Sequence, residues 1–356
     1  MNNRRSGFYL SLLLLPVVLT AFLGFHPLQS EAADTLPAQL PDAEFWRLVT
    51  EFSEPNGAFP YENFVSNERE YQNVLTELTQ KGPVGGVYLG VAPEQNFTYI
   101  AALKPRMAFI IDIRRQNMIE LLMYKALFEM SKDRSDFVTR LFSRKCPATV
   151  NGKSGAKELF QACGGSAPDS ALFETTLQAI KDRLIKEHKF QLTADDESRI
   201  KYVFNVFYTG GPQMDYMFAS PSHPNASNVP NYYDLMIAAD SQGTRWSYLD
   251  KEDAYQRVRT MQQKNLIVPI VGDFGGPKAL RAIGQYLKDH GSTVSVFYIS
   301  NVEDYLQSKW QSYRANIAAL PTEPTSMFIR VFIDMPRTFT APMNALPASY
   351  PGRSFQ

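Results

Sequence analysis

The 356-residue chain carries 36 basic and 36 acidic residues, and 44% of it is apolar, 20% charged and 13% aromatic. This is an ordinary globular balance, and without a clustered basic face it speaks against a nucleic-acid partner. Two cysteines and four scattered histidines provide no zinc-ligand spacing.

Arg4 and Arg5 precede an apolar run from Phe8 to Phe25, followed by Ser30-Glu31-Ala32-Ala33. This is the tripartite pattern of an export signal, with cleavage expected after Ala32 or Ala33. As a helix the run would reach about 27 Å at ~1.5 Å per residue, so an uncleaved membrane anchor is the alternative. The expected address is periplasmic or extracellular, or membrane-anchored through this segment alone.

Residues 34–335 read as one α/β domain. Phe45 to Phe52 places Phe45, Leu48, Val49 and Phe52 on one helical face. Asn67 to Leu78 reads as a second helix, ended by Gly82-Pro83. Gly86 to Val91 and Met107 to Ile113 are continuous apolar runs that suit buried strands. Helices follow each, over Phe97 to Leu103 and Gln116 to Ser131. This alternation predicts a mostly parallel sheet covered on both faces.

Residues 132–262 read as a largely helical insertion, with helical spacing in Leu172–Glu187 and Asp196–Phe207. Cys146 and Cys163 lie within it, spaced for a structural disulfide or two free thiols. Between Gly210 and Tyr232, Gly, Pro, Ser and Asn predominate, and His223 stands in this candidate lid. The sheet pattern resumes with Leu266–Val271, Thr293–Ile299 and Met327–Ile333, separated by helices over Ala279–His290 and Asn301–Ser312. Residues 336–356 are Pro-rich and expected to be loose. The fold class is therefore Rossmann-like α/β.

In such sheets ligands bind beyond the carboxyl ends of the strands. Gly90, Glu94 and Asn96 belong to the turn after the first strand. Asp112 ends the second strand, where an acidic side chain commonly takes a ribose. Asp273 ends the third strand and is placed on the same rim, and Asn301 follows the fourth. The helix start at Pro277-Lys278 offers N–H groups and a cation to an anion. Against this pocket, the glycine-rich loop is missing, and Asp112 has a structural alternative in pairing with Arg114 or Arg115. Ser300 and Glu303 have capping-box spacing. No Gly-x-Ser-x-Gly and no P-loop occur.

The segments Glu94–Ile100, Asp112–Asn117, Tyr124–Glu129 and Val271–Lys278 resemble an uncharacterised family of bacterial proteins over roughly residues 45–310. The resemblance implies a fold similar to class I methyltransferases and, through it, an S-adenosylmethionine-like ligand. The resemblance implies that relatives often carry a second glycine where this chain has Ala92. Two functions follow as expectations. One is an exported enzyme or degenerate enzyme holding a nucleotide-like small molecule. The other is a non-catalytic envelope binding protein that has lost cofactor chemistry.

Overall fold

Strand β1 (Val87–Val91), β2 (Met107–Asp112) and β3 (Ile267–Val271) are buried at every position. β-Branched and aromatic residues without polar alternation can only be accommodated between two helical layers. With β4 (Val294–Ser300), β5 (Thr322–Phe332) and β6 (Met335–Pro342) they form a six-stranded sheet in the order β3-β2-β1-β4-β5-β6. The first five strands are parallel, and β6 runs antiparallel beside β5. The fold is Rossmann-like α/β. Strand order reverses between β1 and β4, which makes their carboxyl ends the topological switch point.

The computed structural model describes residues 34–82, 85–147, 153–219, 229–332 and 335–351. The export signal, Pro83, Gly152, Ile333, residues 220–228 of the candidate lid with His223, and the last five residues lie outside the described residues.

Helix α1 (Asp42–Phe52) precedes α2 (Leu75–Lys81), and α3 (Gln95–Leu103) and α4 (Arg115–Met130) follow β1 and β2. The insertion holds α5 (Arg134–Phe142), α6 (Ala156–Gly164), α7 (Ser170–Lys181), α8 (Ala194–Gly210), α9 (Tyr232–Ile237) and α10 (Glu252–Gln263). It is fastened to the sheet layer by ions as well as by packing. Arg115 at the start of α4 donates to Asp196 at 2.6 Å, and Asp196 also caps α8. Lys125, buried within α4, donates to Glu129, the Gln262 carbonyl and Asn265.

Three expectations need correction. The helix expected from Asn67 begins only at Leu75, and residues 69–74 are turns. The helix expected from Asn301 begins at Trp310, as α12 (Trp310–Ala319), after two short 3₁₀ turns. The expected loose tail instead starts with β6, whose register pairs Ile329 with Thr340 and Met327 with Pro342. As an edge strand β6 tolerates proline at its end, because the missing N–H faces outward.

Cys146 and Cys163 are bonded, with Cα atoms 4.3 Å apart, and no described cysteine is free. Unfolded, unreduced protein should therefore show no reactive thiol. Reduction should cost about 3 kcal/mol in the chain-entropy model. Two thiols per chain in that count would contradict the bond.

Candidate functional site

The switch point opens into a groove of two adjoining chambers. The first, about 380 Å³, lies across the carboxyl ends of β1 to β4 and is lined by Ala92, Asp112, Asp273 and Asn301 among others. The second, about 330 Å³, shares Asn63, Ala92, Ser300 and Asn301 with it and extends to Glu68 and Gln95.

Left-handed backbone concentrates here. Among the described residues, eight non-glycine residues have positive φ, and Asn63, Ala92, Ser300 and Gln307 line this groove. Ala92 has φ 65° at the end of β1, and Ser300 has φ 52° at the end of β4. Such backbone disfavours side chains with a Cβ by roughly 1–2 kcal/mol. It persists where the surroundings force it and collects at functional sites. Ala92 occupies the position where the resemblance leads one to expect glycine, and its backbone has the conformation that glycine favours.

Asp112 is buried and lines the first chamber. Its Oδ1 accepts the Arg114 backbone N–H at 2.8 Å, and both oxygens accept the guanidinium at 3.1 Å. Arg114 also donates to the Tyr61 and Glu62 carbonyls and to Asn63 Oδ1. The pair therefore fixes the loop that roofs the groove. Asp273 accepts the Gly275 N–H at 2.8 Å and pairs with Lys309.

The other expected site residues serve the scaffold. The Asn96 amide donates to the carbonyls of Val91, Ala92 and Pro93, while its oxygen accepts the Tyr88 hydroxyl. A Cβ at Gly90 would stand 1.9 Å from that oxygen, so Gly90 makes room for Asn96 and not for a ligand. Glu94 is fully buried and does not line either chamber. Neither of its oxygens has a hydrogen-bond partner. Burial pushes its carboxyl up to about 8, and the nearby backbone N–H groups of Glu94 and Ser66, which fall outside hydrogen-bond geometry, offset this only in part. Glu120, also buried, is driven well above the carboxylate range by burial and by repulsion from Glu94.

The expected anion site at the start of α11 (Ala279–Asp289) is filled by the chain itself. Glu54 Oε1 accepts the N–H groups of Lys278 and Ala279, both at 2.8 Å, and Oε2 accepts that of Asp273 at 3.2 Å. A Cβ at Gly276 would come within 2.2 Å of Glu54 Oε2, and one at Gly275 within 2.7 Å of Lys309 Cβ, which explains the paired glycines. Lys278 Nζ turns away to the Ser53 carbonyl. Glu54→Ala should cost about 1 kcal/mol, as loss of a helix cap does. Phosphate should then stabilise the variant and leave the wild type unchanged in a melting comparison against chloride. A variant indifferent to phosphate would contradict this reading.

Ser300 is not a helix cap. It closes β4 and donates to Glu68 Oε1, while Glu303 pairs with buried Arg330 at 3.0 Å. Glu68 was not foreseen as a site residue. It is buried, lines the second chamber, and its Oε2 has no partner. Burial raises its carboxyl to about 7, with the Ser300 and Tyr298 hydroxyls pulling the other way. A helical reading of residues 67–78 hid it, because it has no local signature. Among the described residues, no three or more His, Cys, Asp or Glu side chains are grouped to hold a metal ion.

A family model described as "Domain of unknown function (DUF7790)" matches residues 63–350. The chain belongs to that family. The match spans the whole sheet and begins at Asn63 in the groove loop, so it takes in most of the lining of both chambers, while the aromatic walls Phe59 and Tyr61 precede it. A comparison with curated proteins finds no match.

Proposed function

We propose that the groove holds a nucleoside-type small molecule without a phosphate chain, on a scaffold of methyltransferase-like ancestry. The observation that carries this reading is the gathering of four left-handed, non-glycine residues around a cavity at the switch point. Asp112 and Asp273, at the ends of β2 and β3, give the first chamber acceptors suited to ribose hydroxyls and a base amine. A phosphate chain is poorly served. Glu54 occupies the N–H groups of α11, and Arg114 and Lys309 are neutralised by Asp112 and Asp273. An uncharged nucleoside or an S-adenosyl compound suits this balance better than a dinucleotide.

A second reading, an envelope protein that binds without catalysis, is favoured by the same self-pairing. Among the described residues, the carboxylates of the first chamber, Asp112 and Asp273, are each paired with a cation. Both readings place the protein outside the cytoplasm, supported by the N-terminal apolar run and the Cys146–Cys163 bond. Protein recovered from cells should begin at Ala33 or Asp34. Recovery of soluble cytoplasmic chain beginning at Met1 would sink that part. Among the described residues, no helix is long and apolar enough to cross a membrane.

Melting of the mature chain with millimolar adenosine, S-adenosylhomocysteine, NAD⁺ and ATP tests the ligand class. Ligand at about 100 times its Kd adds roughly 2.7 kcal/mol. The first two should shift the transition and the last two should not. No shift with any of the four would remove the proposal.

A further inference from the structure

The second chamber has a chemistry of its own. Phe59, Tyr61, Tyr216 and Tyr305 wall it, with ring centroids 5.7 Å apart for Phe59–Tyr61, 5.3 Å for Phe59–Tyr305 and 5.4 Å for Tyr61–Tyr216. Among the described residues, its lining contains one carboxyl, Glu68, and no lysine, arginine or histidine. Two lining residues each carry a buried acceptor atom that makes no hydrogen bond, Glu68 Oε2, near which the Tyr298 hydroxyl stands, and Gln95 Oε1. The Gln95 amide is turned so that its Nε2 donates to Tyr298 at 2.8 Å, leaving its oxygen without a donor. Buried acceptors left unpaired are costly and call for a donor. Aromatic faces attract a cation. The Arg114 guanidinium sits 5.5 Å from the Phe59 centroid with its charge held by Asp112, so it does not serve this chamber.

We propose that the second chamber recognises a protonated primary or secondary amine, with Glu68 as counter-ion and Gln95 Oε1 as second acceptor. N–H donors are required to satisfy both oxygens, so a quaternary ammonium fits less well. Ser300 is the positioning residue. With a left-handed backbone at the end of β4, it donates its hydroxyl to Glu68 Oε1, and Oε2 is the oxygen without a hydrogen bond. The proposal rests on the groove being a ligand site, but it does not require the nucleoside.

Binding should depend on pH. Burial lifts the Glu68 carboxyl to about 7. Among the described residues, the other raised phenols around it are those of Tyr88 on β1, Tyr99 on α3, Tyr298 on β4, and Tyr216 and Tyr305 on the chamber wall, all pushed further up by burial. They stay neutral across the range, so Glu68 alone sets the profile. Only its ionised form holds the cation, and affinity should rise about tenfold between pH 6 and pH 8.

The test is calorimetric titration of the mature chain with phenethylamine and, as the uncharged counterpart, 2-phenylethanol. The amine should bind at pH 8 and the alcohol should not. Glu68→Gln, equal in size, should weaken amine binding at least tenfold. Should that variant fold poorly, the wild-type pH profile decides alone. Equal binding of the two probes, an unchanged Glu68→Gln affinity or a flat profile would each overturn the proposal. Adenosine binding without amine binding would overturn it while sparing the nucleoside reading. Amine binding without adenosine binding would support it and remove the nucleoside.

Discussion

Asp112→Ala should destabilise the protein by about 3–5 kcal/mol, the usual cost of stranding one member of a buried ion pair. The Arg114 guanidinium would remain buried, over Phe59 and among the Tyr61 and Glu62 carbonyls, with no carboxylate to balance it. The loop roofing both chambers would lose its anchor at the same time. Removing the charge as well, in an Asp112→Ala/Arg114→Met double variant, should recover more than half of the loss. Urea unfolding at neutral pH measures both, provided that the slope against denaturant is unchanged. A single-variant loss below about 1 kcal/mol would mean that the pair is solvated, and that the groove is not pre-formed in the way described.

Stability should peak near pH 5 and fall steadily toward pH 8. Glu68, Glu94 and Glu120 all have folded-state values raised by burial above the ordinary 4.5. Their contribution is complete below about pH 4.5 and drains away as the unfolded chain ionises and the folded one does not. Each such group costs about 1.4 kcal/mol per pH unit until its folded value is reached. For Glu68 that is about 7 and for Glu94 about 8. His188, raised by Glu129 and Asp42 against the opposing effect of burial, acts in the same direction above 6.5. On the acid side Asp42, Glu129 and Asp196 are lowered by their partners, and their contribution is lost as pH falls below about 4. Glu94→Gln should flatten the alkaline limb and gain several kcal/mol relative to wild type at pH 8. A stability maximum above pH 7, or a Glu94→Gln profile parallel to wild type, would contradict the buried neutral carboxyl.

The sheet was legible because its strands are buried on both faces. Val87–Val91 and Ile267–Val271 have no polar alternation, and only a covered parallel sheet suits such runs. The groove rim was legible for the same reason. Once β2 and β3 are placed, Asp112 and Asp273 fall at their carboxyl ends. What escaped was contact between residues far apart in the chain. Glu54 caps a helix more than two hundred residues away, so the start of α11 read as an open anion site. Glu68 and Ser300 meet across a similar distance, and each had a plausible local reading, in a helix and in a capping box. The Ser300–Glu303 spacing matched the box, yet β4 runs on to Ser300 and Arg330 claims Glu303. Asn96 and Gly90 misled in the opposite way. Their place in the turn suggested ligand contact, but each is consumed in holding the turn together.

The most direct measurement is calorimetric titration of adenosine into the mature wild-type chain and into Asp273→Asn. Asp273 lines the first chamber and is only half-buried, so the substitution should spare the fold. One site per chain is expected, with affinity at least tenfold weaker in the variant. No heat of binding to the wild type, or equal affinity in the two proteins, would contradict a nucleoside seated across the ends of β2 and β3.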